Sequence, residues 1–591
     1  MISIFIVTYA SKILIAMTSY RFLQLLLVSI VILAFSCSPK SEETATMLIY
    51  GGTIYTVDDS NPIVEAVAVK DSIILFAGTL EEAEKYKTKE TELIDLEGKT
   101  MTPGLIEGHG HFMGLGYNEL NLDLLGTKSY QDIIDAVAER VKSAEPGEWI
   151  TGRGWHQSKW DSLPNDMVNG FQTHHRLSEV SPNNPVYLRH ASGHAGFANE
   201  KAMEIAGLIS LSKDGIKSYK VEGGEVIVDA AGRPTGVFNE PAAMNLITKH
   251  IPERTEASDR MAFELAVNAC HENGITSFHD AGIPRETIEL YTKMKAENKL
   301  DVRIYAMLTG WDKELLNEWY DKGLMIDKDH RFTIRSIKLN CDGALGSRGA
   351  WLLEPYSDRP GHFGHETLPM EFVRETALKG LEHGFQVCSH AIGDRANREI
   401  LDRYELAFNK IPEKAKNHRF RIEHAQHLHP EDIPRFAELN VIPAMQAIHM
   451  SSDRPWAIDR LGEKRIKEGA YMWQTLLQSG VPIVNGTDVP VEPINPIASF
   501  YASVSRKTLK GTPEEGYEPE QKMTREQALK SYTLDAAYGA FEEDIKGSIT
   551  KGKLADFTIY NQDLMTVPES EILNTTIAKT IFNGKVVYSN E

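Results

Sequence analysis

A chain of 591 residues with 42% hydrophobic and 25% charged residues can bury one large core and a smaller satellite, which excludes a disordered or fibrous protein. Acidic residues outnumber basic ones, 83 against 63, for a formal charge of −20, and no basic cluster is present that could neutralise a phosphate backbone. Nucleic acid is therefore not indicated as a partner.

Residues 13–35 are mostly apolar, interrupted by TSYR, and the denser part, FLQLLLVSIVILAFSC, follows Arg21 and ends at Cys37. A basic residue, an apolar run and a small-residue cut site form a secretory signal. The ending LAFSC resembles a bacterial lipobox, which implies cleavage before Cys37 and lipid on its sulfur. Met17 would serve as a more ordinary start than Met1. A plain membrane-spanning anchor stays open, because the segment approaches the ~20-residue spanning length. Either way the remainder is expected outside the cytoplasm, as a membrane-anchored lipoprotein of the bacterial cell envelope facing the periplasm or the exterior. Cys270, Cys341 and Cys388 then remain on separate segments without paired spacing, so no disulfide framework is indicated.

After a polar linker at residues 38–46, residues 47–100 are β-rich runs broken by Gly, Asp and Asn in the manner of consecutive hairpins. A matching β-rich piece occupies residues 541–591. The two ends predict one small β-sandwich domain built from both termini. Between them, at residues 101–540, short apolar runs alternate with amphipathic stretches, the rhythm of parallel strands and crossover helices. The strand candidates are TMTPGLIEGH, GITSFHD, DVRIYAML, TIRSIKLNC, FQVCSH, FRIEHA, VIPAMQ and VPIVNGTD. Such units close into an α/β fold, a (β/α)8 TIM-like barrel with its chemistry at the C-terminal strand ends. The interval 112–271 is too long for one loop and is expected to form a large insert after barrel strand 1.

Strand side chains alternate faces, so His109 and His111 project to the same side and can reach one ion together. Alone, His-x-His is as compatible with a structural turn as with a metal site. His390, His424 and Asp488, however, close three further strand candidates where a barrel delivers side chains to its mouth. Lys338 lies inward in IRSIKLNCD, a costly placement unless the amine is paired, deprotonated or modified.

The order His109-x-His111, Lys338, His390, His424, Asp488 resembles the metal site of the amidohydrolase superfamily. The surrounding IKLNCDGALGSRGAWLLEPY, SHAIGDRAN, RIEHAQ and NGTDVPVEPINP are similar to the YtcJ-like branch (amidohydrolase family 3), which includes N-substituted formamide deformylase. The resemblance covers nearly everything from about residue 47 onward. It implies one or two divalent ions, usually zinc. His109, His111 and Asp488 would hold the more buried ion and His390 and His424 the second, bridged by an N-carboxylated Lys338. It further implies hydrolysis of a non-peptide C–N bond of a small molecule through metal-bound hydroxide, with Asp488 as general base and then acid.

Other residues carry less. His194, in RHASGHAGFAN, matches a Gly-His pair that faces the substrate in this branch. GRGWHQSKW places Arg153, Trp155 and His156 in a Gly-bracketed loop that suits a substrate wall, although a core Trp reads equally well. His279 and Asp280, ending the second strand candidate, could orient a ligand. DGALGSRG (residues 342–349) lacks the Lys-Ser/Thr ending of a phosphate loop. The glycosylation-like NGT at Asn485 falls at the barrel mouth, and Cys388 has no base assigned to it. A deaminase or esterase reaction of the same superfamily, and an inactive binding or scaffold protein on the same barrel, remain alternatives. The substrate and any homo-oligomeric state are open.

Overall fold

The alternation of short apolar runs with amphipathic helices produces a parallel barrel in the computed structural model, which describes residues 44–157, 160–190, 195–209, 220–221, 224–346 and 348–590. The predicted lipidation site Cys37 and the predicted substrate contact His194 lie outside the described residues. The barrel strands are β1 (Leu105–Gly110), β2 (Ile275–Ile283), β3 (Arg303–Thr309), β4 (Phe332–Asn340), β5 (Gln386–Ala391), β6 (Arg421–His424), β7 (Ile442–Met445) and β8 (Val484–Asn485). Each pairs in parallel with the next. The ring nearly closes where the Asp488 N–H, just past β8, donates to the His109 carbonyl at 2.8 Å. Gly108 permits that approach, since a Cβ there would stand 2.4 Å from the Asn485 carbonyl oxygen.

Crossover helices cover the strands with apolar faces set by helical spacing. The helix Asp394–Lys410, for example, buries Ile400, Leu401, Tyr404, Ala407 and Phe408 on one side. The resulting core lies between strands and helices and includes Phe263, Phe278, Tyr291, Ile304, Ile337 and Tyr404.

The first strand candidate, residues 100–109, divides at Gly104. Thr100–Pro103 pairs antiparallel with Phe557–Tyr560 in a second sheet, and only the remainder enters the barrel. That second sheet has eight strands drawn from both ends of the chain, and its core unites Ile49, Val67, Ile94 and Met101 with Phe557 and Ile581. The insert carries a seven-stranded sheet between Leu122–Asp123 and Pro234–Asn239. It is shorter than the interval 112–271, because Phe112 and Leu115 before the sheet and Phe263, Ala266 and Cys270 after it belong to the barrel core. Cys270, Cys341 and Cys388 are buried and free. No helix among the described residues is long and apolar enough to cross a membrane.

The terminal sheet is fastened to the barrel floor by Arg303 of β3. Its Nε donates to Asp556 Oδ2 at 2.6 Å and its Nη2 to Asp556 Oδ1 at 3.0 Å and Asn583 Oδ1 at 3.2 Å. Both partners of the ion pair are buried. Removing one member of a buried pair leaves the other charge uncompensated, at about 3–5 kcal/mol. Arg303→Met is expected to lower unfolding free energy by at least about 3 kcal/mol in urea titrations; a loss below about 1 kcal/mol would show that the pair does not hold the sheets together.

Candidate metal centre

Residues at alternate positions of β1 point into the barrel, which brings Glu107 and His109 to its interior. Glu107 is fully buried; its Oε1 accepts the Thr487 N–H at 2.7 Å and its Oε2 the Thr487 hydroxyl at 3.0 Å. Burial pushes this carboxyl up to about 8, against the bonds from Thr487 that pull it down. His109 is also buried, and its Nδ1 forms a short hydrogen bond with Glu423 Oε2. Burial pushes the imidazole down to about 4 in spite of that carboxylate. With Nδ1 protonated to serve Glu423, Nε2 presents a lone pair to the barrel mouth, and Nε2 has no hydrogen-bond partner.

Alternation along β6 likewise sends Arg421 and Glu423 inward. Arg421 is fully buried and donates to Glu423 at 2.7 and 2.9 Å and to the Gly108 carbonyl at 2.7 Å. Burial alone would raise Glu423, but Arg421 and His109 together hold it at about 2. His424 follows on what would be the outward face, beside Ile422. A left-handed backbone at His424, φ 73°, redirects its ring to the mouth. There His424 Nδ1 lies 2.6 Å from Gln446 Oε1. A donated Nδ1–H leaves Nε2 for the site.

Asp488 reaches the same point from the other side, also from a left-handed position, φ 58°. Its Oδ1 lies 3.2 Å from His111 Nε2 and 3.6 Å from His109 Nε2, and takes no well-formed hydrogen bond. Burial would raise this carboxyl, yet His111, His109 and His424 hold it well below its ordinary value. One ligand-type atom from each of His109, His424 and Asp488 lies within 4.8 Å of the others. Two neutral imidazoles and one carboxylate, with orphaned buried atoms on His109 and Asp488, form a donor set that fits a divalent cation.

The remaining predicted ligands stand around this trio. His111 is at the half-open rim, with 42% of its side chain exposed. The His390 ring packs edge-on to His424 at 4.4 Å, and its Nε2 lies 3.2 Å from Asp342 Oδ1. Lys338 is buried, its Nζ 3.4 Å from Asn340 Oδ1, and burial lowers its ammonium from the ordinary value. His424 thus joins His109 and Asp488 in one mutually close group, while His111, expected beside them, approaches Asp488 Oδ1 from the rim at 3.2 Å. All six residues line one cavity of about 400 Å3.

The two orienting candidates each bond one backbone group and one side chain near the site. His279 Nδ1 lies 3.2 Å from the Gly108 carbonyl and 3.0 Å from Arg421. Asp280 faces the helix layer, where it accepts the Phe112 N–H at 3.0 Å and the Tyr291 hydroxyl at 2.6 Å, fixing the chain just after His111. Trp155 and Arg153 require a correction. The segment is a strand of the insert, Ile150–Trp155, rather than a loop, and neither residue lines the cavity. Trp155 is fully buried in the insert core and donates its indole N–H to the Leu188 carbonyl at 2.9 Å. Cys388 is a packed thiol whose Sγ meets Gln386 Oε1 at 3.3 Å.

A parallel barrel with a buried histidine and aspartate cluster at the C-terminal ends of its strands is the architecture of metal-dependent hydrolases. Residues 92–588 match the model of the amidohydrolase family, and the chain belongs to that family, as its motifs imply. YtcJ of Bacillus subtilis is 32% identical over 548 residues, 91% of this chain and 98% of its own length. N-substituted formamide deformylase of Arthrobacter pascens is 25% identical over 92% of this chain and 98% of its own. The crystal structure of an uncharacterized metal-dependent hydrolase from Pyrococcus furiosus superposes with a TM-score of 0.69 at 27% identity, covering 88% of this chain and 100% of that one.

Glu423→Gln keeps the shape but removes the anion that orients His109. Loss of such a partner typically weakens a metal site 10–100-fold. Competition with a chelator should show zinc affinity falling by about that factor; unchanged affinity would mean that His109 is not a ligand oriented by Glu423.

Proposed function

We propose that this protein is a metal-dependent amidohydrolase that cleaves a non-peptide, amide-type C–N bond of a small molecule. The observation that carries the reading is the convergence of His109, His424 and Asp488 in one cavity at the barrel mouth. The N-substituted formamide deformylase among its relatives supports the choice of a C–N bond. A divalent ion, zinc by its ligand chemistry, would be held by His109, His424 and Asp488, with His111 at the rim and His390 and Lys338 serving a second ion.

When bound, such an ion brings a water toward ionisation near neutral pH and polarises a carbonyl. The chain's own residues do the rest. Asp488, an ionised carboxylate with Oδ1 turned to the cavity, takes a proton from the attacking water. It then passes that proton to the leaving nitrogen as the C–N bond breaks, so that water and an amide yield a carboxylic acid and an amine. Glu423 and Gln446 keep the two imidazoles in the tautomers that face the site. Lys338, buried with no carboxylate paired to it among the described residues, is suited to N-carboxylation, which would turn a cation into a bidentate anion. The signal-like segment ending at Cys37 supports an exported, lipid-anchored protein.

Asp488→Asn tests the assignment. On a substrate found by screening N-formyl, N-acyl and cyclic amides, kcat is expected to fall by at least about 10²–10⁴-fold while the far-ultraviolet spectrum is retained. Near-native turnover by that variant would sink the role given to Asp488.

A further inference from the structure

Part of the cavity wall is acidic. Asp453 and Glu492 line it together with His449, Gln426 and Trp456. His449 and Asp453 stand four residues apart on the helix Ala447–Gly469, one turn on the same face, and Glu492 lies four residues beyond Asp488. The charged groups that act on Asp453 are His449, which attracts it, and Glu492, which repels it; burial comes first, and the carboxyl is pushed up to about 6.

Two neighbouring carboxylates in a partly buried wall favour a cation, and among the described residues the chain gives Asp453 only neutral donors, the Ser452 hydroxyl at 3.3 Å and Gln426. The three arginines of the same helix are committed elsewhere, Arg454 to Glu518 at 2.7 Å, Arg460 to Asp358, and Arg465 to the Glu354 and Pro355 carbonyls at 3.1 and 2.9 Å. Among the described residues, neither Asp453 nor Glu492 pairs with a lysine or arginine, and Lys338, at the histidine end, is the single such residue lining the cavity. His449 adds an independent sign. Only 8% exposed, it lies against His424 with rings nearly parallel, 6.1 Å apart, and its Nε2 has no hydrogen-bond partner. A metal ion is not what this wall is built for, because among the described residues His449, Asp453 and Glu492 do not bring three donor atoms within 4.8 Å of one another.

We infer that the substrate carries an organic cation, a protonated amine or its equivalent, in addition to the scissile bond, and that Asp453 and Glu492 hold it. Carboxylates accept the ammonium N–H bonds; the Trp456 ring beside them already carries the Arg460 guanidinium, 5.7 Å from its centroid, so the two carboxylates carry the recognition. A cavity of about 400 Å3 limits the ligand to a small molecule. The inference rests on the cavity being the substrate site proposed above and adds the polarity of what enters it.

Binding of two near-isosteric probes to the zinc-loaded full chain tests it without requiring turnover. In titration calorimetry n-butylammonium is expected to bind at least tenfold more tightly than butan-1-ol. Asp453→Asn and Glu492→Gln, singly and together, should erase that preference at unchanged zinc content. Equal binding of the two probes overturns the inference. So does a preference that survives both substitutions, which would mark coordination of the amine to the metal. Failure to hydrolyse any amide, with the ammonium preference intact, would count against the hydrolase reading alone.

Discussion

The site depends on one buried charge arrangement, Arg421 with Glu423 and His109, at the centre of the barrel. A carboxylate removed from water is unfavourable unless a cation and hydrogen-bond donors replace the lost hydration. Arg421 supplies the charge from the same strand, and His109 supplies a proton from β1 across the barrel. Once Glu423 is satisfied in this way, His109 has no freedom left. Its tautomer, ring orientation and the direction of its Nε2 follow from the need to pair a buried anion. The same guanidinium holds the Gly108 carbonyl, so the backbone beside the ligand is fixed by the group that fixes the side chain.

Barrel closure and site assembly are therefore one event. Glu107, next inward residue below His109, accepts two hydrogen bonds from Thr487 and so ties β1 to the segment that delivers Asp488. Gly486 lies in that junction, where a Cβ would come within 2.6 Å of the His109 N. His424 and Asp488 both adopt left-handed backbone, a conformation that costs about 1–2 kcal/mol for a residue with a side chain. The surrounding ladder and the Glu107–Thr487 bonds hold that strain in place at the point where two donors must turn toward the cavity.

Much of this was legible in the sequence. The eight strand candidates correspond to the eight barrel strands, because a parallel strand buried on both faces reads as a short apolar run. His109, Lys338, His390, His424 and Asp488 all lie at strand ends around one cavity, as their motifs imply. What sequence patterns did not separate was Thr100–Pro103 from β1, because both are apolar and only Gly104 marks the change of sheet. Alternation in RIEH could have announced Arg421 and Glu423 as inward-facing, yet charged residues in a barrel interior look implausible until their partners, one of them on β1, are known. Trp155 shows the reverse case. Its glycine neighbours suggested a loop, but they serve close packing within a strand, and the large ring fills the insert core. Asp453 and His449 belong to no motif, and Glu492, although inside NGTDVPVEPINP, had no role read for it, since their meaning arises from a helix and a loop brought to the same wall.

The whole arrangement has one functional consequence. A rigid, charge-balanced floor presents the lone pairs of His109 and His424 and the carboxylate of Asp488 to a small acidic-walled cavity, and the histidines are neutral because burial keeps them so. The most direct test is the anomalous diffraction of crystals of the protein loaded with zinc, measured on both sides of the zinc absorption edge. The account predicts a peak coordinated by His109, His424 and Asp488. A zinc-loaded crystal with no peak between those three residues, or with zinc bound only elsewhere, would contradict it.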